Sequence, residues 1–192
     1  MRQRNSRIES AAMCRVAACC LTLLLCGSAI AAEIIGRVVG VQDGDGITIL
    51  DANRTQYKIR LLGIDAPEAK QAFGTRSKQH LSHLVYDQQV RVEWYKRDRY
   101  RRPLGKVFAI SPCLVAPCPY ATDVNLAQVQ AGMAWWNRPY MRDQAEQDRA
   151  RYVSAEAQAR DAKRGLWVDP DPMEPWVWRR LAREHLGSMI KE

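Results

Sequence analysis

The sequence predicts an α+β fold: a five-stranded OB-fold barrel with about three packed helices plus a short C-terminal helix. Three observations lead to this expectation. In the first part of the chain, apolar and polar residues alternate with a period of two, which is typical of half-buried strands. The later part changes to helical spacing, and one segment rich in Ala, Lys, Gln and Leu interrupts the strands. Short strands around one inserted helix favour a small closed barrel.

The first 31 residues differ from the rest, and we expect them to be a signal peptide that is removed on export. Four arginines precede an uncharged run over residues 16–30, and Ala29-Ile30-Ala31 has the small-x-small pattern of a signal-peptidase site. The run is shorter than the ~20 residues of a membrane-spanning helix, so we expect no membrane anchor in the mature protein. The protein is therefore predicted to be periplasmic or secreted.

Composition and charge narrow the class of protein. With 47% hydrophobic and 26% charged residues, the chain is predicted to be globular and not disordered, collagen-like or a coiled coil. We expect one folded domain over residues 32–168, followed by a Pro-containing linker and C-terminal helix over residues 169–192. The formal net charge of +8 favours polyanionic partners such as nucleic acid or anionic membrane surfaces, and charge alone does not choose between them.

Five short segments rich in β-branched residues are the predicted strands, and Asp, Gly or Asn residues separate them. They cover residues 34–41, 47–50, 57–62, 90–94 and 106–110. A helix is predicted between the third and fourth strands, from residue 68 to about residue 86. Pro67 is expected in its first turn, where a missing backbone N–H costs nothing.

Helices are predicted to follow the fifth strand. Asp123 is expected to cap a helix over residues 124–132, and a second helix over residues 142–164 is expected to end at Gly165. A last amphipathic helix over residues 176–186 is predicted to pack its tryptophans on the domain.

Two cysteines, Cys113 and Cys118, bracket a Pro-containing stretch between the last strand and the first of these helices. Export permits a disulfide between them. So short a loop would gain only about 2 kcal/mol of stability, so we interpret the bond as a local clip.

Four carboxylates cluster near the predicted turns. Asp43 and Asp45 lie between the first two strands, and Asp65 and Glu68 lie where the third strand gives way to the helix. Brought together, they would form an oxygen-rich site of the kind that Ca²⁺ prefers. Alternatively, the Asp-Gly-Asp-Gly string is a hairpin turn and Asp65 is a helix-capping residue. Each motif taken alone favours this alternative.

Arginines accompany these carboxylates. Arg60 lies on the third strand, and Arg102 ends the basic run 96–102 before the fifth strand. Guanidinium groups suit a phosphate whose charge grows in a transition state. The alternative for Arg60 is a salt bridge to a neighbouring carboxylate, and that for Arg99 and Arg101 is a solvated loop that adds non-specific affinity for nucleic acid.

Taken together and in order, these motifs resemble the staphylococcal nuclease (thermonuclease) family over residues 35–167. The match is carried by Asp43-Gly44-Asp45, Arg60-Leu61-Leu62-Gly63-Ile64-Asp65-Ala66-Pro67-Glu68, Asp98-Arg99-Tyr100-Arg101-Arg102, Val124-Asn125-Leu126 and Ala131-Gly132-Met133-Ala134. The resemblance implies a five-stranded barrel with three helices and a secreted, Ca²⁺-dependent phosphodiesterase.

The resemblance also implies a set of metal ligands and catalytic residues. Asp45, Asp65 and the backbone carbonyl of Ala66 would bind Ca²⁺. Glu68 would be the general base that activates water. The two arginines, Arg60 and Arg102, would then stabilise the five-coordinate phosphorus.

Contacts to the nucleic acid are expected outside this set. The resemblance makes Tyr100 and Tyr140 candidates for contacting the nucleotide, and Arg99 would add affinity for the polyanion. The chain departs from the family pattern at Ala66, where Thr is usual, at Gly46, where Thr or Ser is usual, and at Arg101, where Gly is usual. A positive φ at Arg101 would cost roughly 1 kcal/mol or more and could turn Arg102 away from the site.

The predicted function is that of a calcium-dependent, sugar-nonspecific endonuclease that cleaves DNA and RNA, and the family resemblance implies 3′-phosphate products. We expect it to act as a monomer. The alternative is a catalytically inactive nucleic-acid-binding OB-fold module. Since all five positions with implied metal or catalytic side-chain roles are retained, the enzyme is the favoured prediction.

Overall fold

A computed structural model describes residues 32–189, and the signal peptide expected over residues 1–31 lies outside this part of the chain. The strands are β1 (Ala32–Val41), β2 (Gly46–Asp51), β3 (Gln56–Leu61), β4 (Ile64–Asp65), β5 (Gln89–Arg97), β6 (Pro103–Ile110), β7 (Tyr120–Asp123) and β8 (Trp135–Trp136). The α-helices are α1 (Gly74–Val85), α2 (Val124–Gln130), α3 (Glu146–Asp161) and α4 (Pro175–Met189). Within residues 32–189, no helix is long and apolar enough to cross a membrane.

Five strands close into a barrel, which confirms the predicted fold. β1 pairs antiparallel with β2 and with β5, β2 pairs with β3, and β5 pairs with β6. A short parallel pairing of β3 with β6, where Arg60 lies opposite Leu104, completes the ring. The five predicted strands correspond to these five. β4, β7 and β8 were not predicted, because two to four residues are too few to show an alternating pattern.

The barrel is filled by alternate residues of its strands, as the period of two requires. Each of the following core side chains is at most 1% exposed: Val38, Ile47, Ile49, Ile59, Leu61, Val90, Val92 and Val107. Leu81 and Val85 of α1 and Val129 of α2 belong to the same core.

Asn125 at the start of α2 holds the closure of the barrel together. Its fully buried amide group donates to the carbonyls of Leu62, at 2.9 Å, and Gly105, at 3.0 Å. Its carbonyl accepts from the N–H of Val107 at 3.0 Å. One side chain therefore links the end of β3 to β6, whose parallel pairing is only two residues long in the described residues.

The first helix begins later than predicted. α1 starts at Gly74, and the preceding residue, Phe73, has a left-handed backbone with φ of 65°. Residues 68–73 instead form turns that pack against the start of the helix, and a Cβ at Gly74 would lie 2.0 Å from the carbonyl oxygen of Glu68. The prediction that Pro67 lies in the first helical turn was therefore wrong.

The later helices were predicted in part. Asp123 caps α2 by accepting from the N–H of Leu126 at 3.0 Å, as expected. The predicted helix over residues 142–164 is instead a 3₁₀-helix (Arg138–Asp143) followed by α3, because Gln144 has an extended backbone between them. Gln144 uses its side chain to accept from the indole N–H of Trp136 at 3.0 Å.

Two further expectations are confirmed in the structure. The C-terminal helix α4 packs Trp176 against Trp135, with ring centroids 6.1 Å apart. Cys113 and Cys118 form a disulfide in the exposed loop between β6 and β7.

Candidate active site

A cleft of about 490 Å³ brings together most of the residues that the sequence singled out. Its lining includes Arg60, Asp65, Glu68, Arg99, Tyr100, Arg102 and Tyr140. These side chains come from β3, β4, the turns before α1, the hairpin between β5 and β6, and the 3₁₀-helix (Arg138–Asp143). Segments far apart in the sequence thus meet at one surface.

Asp45 lies behind this cleft, at the end of the turn that joins β1 to β2. The backbone is a tight hairpin connection, with the N–H of Gln42 donating to the carbonyl of Gly46 at 3.0 Å. The hairpin interpretation was therefore correct for the backbone, but Asp45 itself is only 1% exposed. Its carboxylate accepts from the N–H of Ala66 at 2.6 Å.

Glycine at position 44 lets this turn approach α1 and α2. A Cβ at Gly44 would lie 1.8 Å from the hydroxyl of Ser77, so a larger residue would push the turn away. The carbonyl of Gly44 accepts from the amide group of Gln128 at 2.6 Å. A Cβ at Gly46 would lie 2.8 Å from Oδ1 of Asp43, so a larger residue there would require the Asp43 carboxylate to move.

Arg60 joins the two predicted metal-binding carboxylates. It pairs through Nη1 with Oδ1 of Asp45, and its Nη2 lies 2.7 Å from Oδ1 of Asp65. The register of the sheet explains this position, because Arg60 lies opposite Gly46 in the pairing of β2 with β3. The salt bridge that we considered as the alternative for Arg60 is therefore present, and the same guanidinium also lines the cleft.

Negative charge is in excess around Asp45. Burial raises the pKa of Asp45 well above its ordinary value; the guanidinium of Arg60 opposes this shift, while the carboxylates of Asp43 and Asp65 add to it. A buried carboxylate surrounded in this way is stabilised in its charged form by an additional cation.

The donors at this position suit Ca²⁺. Within residues 32–189, no group of three or more His, Cys, Asp or Glu side chains is arranged to hold a metal ion. The ion would therefore depend on two carboxylates completed by a backbone carbonyl and water, a shell of hard oxygen donors that Ca²⁺ accepts. Asp45 and Asp65 would supply the two carboxylates, and the contact that Ala66 makes with Asp45 is through its backbone N–H.

Glu68 has a different environment. Its side chain is 39% exposed, and it lies in the turns that precede α1. Gln71 fixes this segment through two hydrogen bonds to Glu68. Its side-chain oxygen accepts from the backbone N–H of Glu68 at 3.1 Å, and its backbone N–H donates to the carbonyl of Glu68 at 2.8 Å. A carboxylate that faces an open cleft is accessible to water, as a general base must be.

The hairpin between β5 and β6 carries Arg102. Arg101 has a φ of 65°, so the turn does place a non-glycine residue in the left-handed region. Arg102 nevertheless lines the cleft, because Asp98 accepts from its backbone N–H at 2.9 Å and from its Nε at 2.8 Å. The strain at Arg101 has therefore not turned Arg102 away from the site.

The predicted nucleotide-contacting residues are exposed on the cleft. Tyr100 and Tyr140 both present large aromatic surfaces to solvent. The guanidinium carbon of Arg99 lies 5.1 Å from the ring centroid of Tyr100, and that of Arg102 lies 5.5 Å from it. Exposed aromatic rings beside arginines can stack bases and contact phosphates.

Two residues at this site were missed by the sequence analysis. Arg179 of α4 contacts Asp65 and Glu68, and Gln128 of α2 holds the turn that carries Asp45. Arg179 lies 114 residues from Asp65 in the chain, and nothing in its local sequence separates it from the neighbouring Arg180. Gln128 lies on α2 and is fully buried. A polar residue on the face of a helix that is expected to be buried could have indicated a specific hydrogen-bond partner.

Comparison with known proteins identifies the family. The family model described as staphylococcal nuclease homologue matches residues 58–169. The chain belongs to the staphylococcal nuclease family. Among its relatives in this family, the micrococcal nuclease of Shigella flexneri is 40% identical over 158 residues, which cover 79% of this chain and 84% of that protein. Protein ParB of Escherichia coli is 42% identical over 172 residues, covering 90% of this chain and 93% of that protein.

An uncharacterized endonuclease of Escherichia coli O157:H7 is a further relative. It is 42% identical over 148 residues, which cover 77% of this chain and 86% of that protein. The matched family region includes Arg60, Asp65, Glu68 and Arg102, while Asp45 precedes it.

Proposed function

We propose that the protein is a calcium-dependent, sugar-nonspecific endonuclease that hydrolyses the phosphodiester bonds of DNA and RNA. Membership of the staphylococcal nuclease family makes it a nuclease. The observation that carries the finer proposal is that Arg60, Asp65, Glu68 and Arg102 line one cleft, with the buried Asp45 paired to Arg60 behind it.

The proposed division of roles follows from burial. Asp45 and Asp65, which are both nearly inaccessible to solvent, would hold Ca²⁺ together with the carbonyl of Ala66. Bound Ca²⁺ would supply positive charge to the phosphate and favour ionisation of water. The more exposed Glu68, which lines the cleft and pairs with Arg179, is the residue assigned to proton transfer.

Glu68 is the proposed general base. Its carboxylate takes a proton from water as the oxygen of that water attacks phosphorus. The bond from phosphorus to the 5′ oxygen breaks, and that oxygen takes a proton from solvent water, which leaves a 3′-phosphate and a 5′-hydroxyl. Arg60 and Arg102 bind the phosphate oxygens, where negative charge increases in the five-coordinate transition state.

Tyr100 and Tyr140 are the proposed base-stacking residues, and Arg99 the proposed additional phosphate contact. Stacking on an aromatic ring accepts any base, and phosphate is shared by DNA and RNA. These contacts support activity on both nucleic acids.

We further propose that the protein is exported, to the periplasm or the medium, and acts as a monomer. The signal-like sequence of residues 1–31 supports export. The disulfide between Cys113 and Cys118 is compatible with an oxidising compartment.

The test is digestion of single-stranded DNA, double-stranded DNA and RNA by the chain without residues 1–31, with Ca²⁺ or with a chelator. Cleavage should require Ca²⁺ and should fall by two orders of magnitude or more in Glu68→Gln. Glu146→Gln is the matched control, because Glu146 is exposed on α3 outside the cleft. Binding without cleavage in any metal would instead identify a catalytically inactive binding module.

A further inference from the structure

The C-terminal helix α4 places a guanidinium among the proposed catalytic carboxylates. Nη2 of Arg179 lies 2.6 Å from Oδ2 of Asp65, and Nη1 lies 2.7 Å from Oε1 of Glu68. The side chain is 35% exposed and lines the same cleft as Arg60 and Arg102. Arg179 therefore contacts both a proposed metal ligand and the proposed general base.

The position of Arg179 follows from how α4 is anchored. Trp176, three residues earlier, packs edge-on against the buried Trp135. Just before the helix, the carbonyl of Met173 accepts from the side-chain amide of Gln71 at 2.6 Å. The same Gln71 side chain accepts from the N–H of Glu68, so one residue fixes both the base and the approach to α4.

Arg179 and Arg60 share a partner. Nη2 of Arg60 lies 2.7 Å from Oδ1 of Asp65, and Nη1 of Arg179 lies 3.1 Å from the same oxygen. Arg60 is a proposed phosphate-binding residue that pairs with the carboxylates in the structure described here. Arg179 also carries a guanidinium group and lines the same cleft, but it comes from α4 and not from the barrel.

We propose that Arg179 is a third arginine of the active site and binds a phosphate of the nucleic-acid substrate. The inference rests on the proposed nuclease function. Without substrate, its planar guanidinium neutralises Asp65 and Glu68. A cation that takes the oxygens of Asp65 competes with Arg179 and leaves its donors available to a phosphate, whose paired oxygens match a guanidinium.

The first test measures binding apart from catalysis. The affinity for a fluorescent single-stranded oligonucleotide is measured with Ca²⁺ and at several salt concentrations in Glu68→Gln, with readings taken before its slower cleavage consumes the probe. Adding Arg179→Met should weaken binding roughly tenfold or more. It should also lower the slope of log affinity against log salt by about 0.7, the contribution of one phosphate contact on a single strand.

The matched control is Arg180→Met. Arg180 lies next in the same helix and carries the same charge, but it is exposed, lies outside the cleft lining and contacts Glu184. Its replacement should change the affinity and the salt slope much less than Arg179→Met. Equal effects of the two variants would overturn the proposal, because they would show a general effect of charge.

A second measurement is titration of Ca²⁺ by calorimetry without nucleic acid. Arg179→Met should bind Ca²⁺ more tightly, because a competing cation has been removed from Asp65. Weaker oligonucleotide binding would then not reflect loss of the metal. If Ca²⁺ binding tightens but oligonucleotide affinity and salt slope stay at the parent values, Arg179 is only a counter-ion and the proposal is wrong.

Conservative variants keep the proposal testable if Arg179→Met does not fold, which a thermal melt would show. Arg179→Lys should retain most of the salt slope because it keeps the charge, whereas Arg179→Gln should lose it. The same slope in both would contradict a phosphate contact. Cleavage by the unsubstituted protein is assayed in parallel, so its absence would reject the nuclease proposal and not merely the role of Arg179.

Discussion

The backbone N–H of Ala66 lies 2.6 Å from Oδ2 of Asp45. This hydrogen bond joins the end of β4 to the turn between β1 and β2, across 21 residues of sequence. Because the donor is a backbone group, the replacement of the usual Thr by Ala leaves this contact intact. The proposed Ca²⁺ site therefore depends on how well the turn around Asp45 is held against the rest of the domain.

Gln128 holds that turn from α2, and we expect its replacement to weaken Ca²⁺ binding. Gln128→Leu removes the donor to the carbonyl of Gly44, which lies 2.6 Å away. Loss of a residue that orients a ligand costs roughly 10–100-fold in metal affinity. Calorimetric titration of Ca²⁺ measures this effect, with Gln130→Leu, at an exposed position of the same helix, as the control. An unchanged affinity in Gln128→Leu would show that the turn is held by other contacts.

Asn125 is predicted to be essential for stability. Asn125→Ala removes three hydrogen bonds at the junction of β3 and β6, to the N–H of Val107 and the carbonyls of Leu62 and Gly105. The carbonyl of Gly105 keeps a second bond, from the N–H of Leu62. The free energy of unfolding should fall by about 2–4 kcal/mol in urea denaturation. Asn53→Ala, at an exposed position after β2, should change it by less than about 0.5 kcal/mol. Comparable stability of the two variants would contradict the role of Asn125.

Arg101→Gly should stabilise the protein. A glycine relieves the left-handed backbone at this position, where φ is 65°, although it also adds entropy to the unfolded chain. The net gain in the free energy of unfolding should be about 0.5–1 kcal/mol. Arg99, two residues earlier, is not among the positive-φ positions of residues 32–189, so Arg99→Gly should not raise the free energy of unfolding. A loss of stability in Arg101→Gly would mean that the arginine side chain contributes more than the strain removes.

Acid should remove the contribution of the Asp98 carboxylate to the free energy of unfolding. Partial burial alone would raise the pKa of Asp98, but the N–H groups of Arg102 and Tyr100 and the guanidinium of Arg102 lower it below its ordinary value. A carboxylate whose pKa is lowered in the folded state stabilises that state at pH values above the ordinary aspartate pKa of about 4. This stabilisation is lost as the pH falls below about 4 and the carboxylate is protonated.

Asp98→Asn should therefore be less stable than the unsubstituted protein at pH 7, and the difference should shrink at pH values below about 4. Urea denaturation at several pH values measures it. Asp161→Asn, at an exposed position at the end of α3, controls for the general loss of a carboxylate. A difference that stays constant with pH would show that the carboxylate of Asp98 is not the stabilising group.

The sequence predicted the barrel well because its strands show a local signal. In β1, β3, β5 and β6, more and less buried residues alternate along parts of each strand. β2 was recognised by its β-branched residues instead, since its first four residues are all buried. The start of α1 could not be predicted in this way. The left-handed backbone of Phe73 and the close approach of Gly74 to Glu68 arise from tertiary packing, whereas Pro67 gave a misleading local signal.

The part of the site formed by residues close together in the sequence was predictable. Arg60, Asp65 and Glu68 lie within nine residues of one another, and the resemblance named their roles. The depth of burial of Asp45 depends on α1 and α2, which pack against its turn. The position of Arg179 depends on the contacts that Trp176 and Gln71 make to hold α4 on the domain. No local sequence pattern predicts such contacts.

The central claim is that Glu68 performs proton transfer in a Ca²⁺-dependent nuclease. The most direct measurement is the single-turnover cleavage rate of one labelled single-stranded DNA by the unsubstituted protein and by Glu68→Gln, together with the affinity for that DNA. We predict a rate at least about a hundredfold lower in Glu68→Gln at saturating DNA, with no cleavage by either protein in chelator. Equal rates in the two proteins, or cleavage that persists without Ca²⁺, would contradict the account.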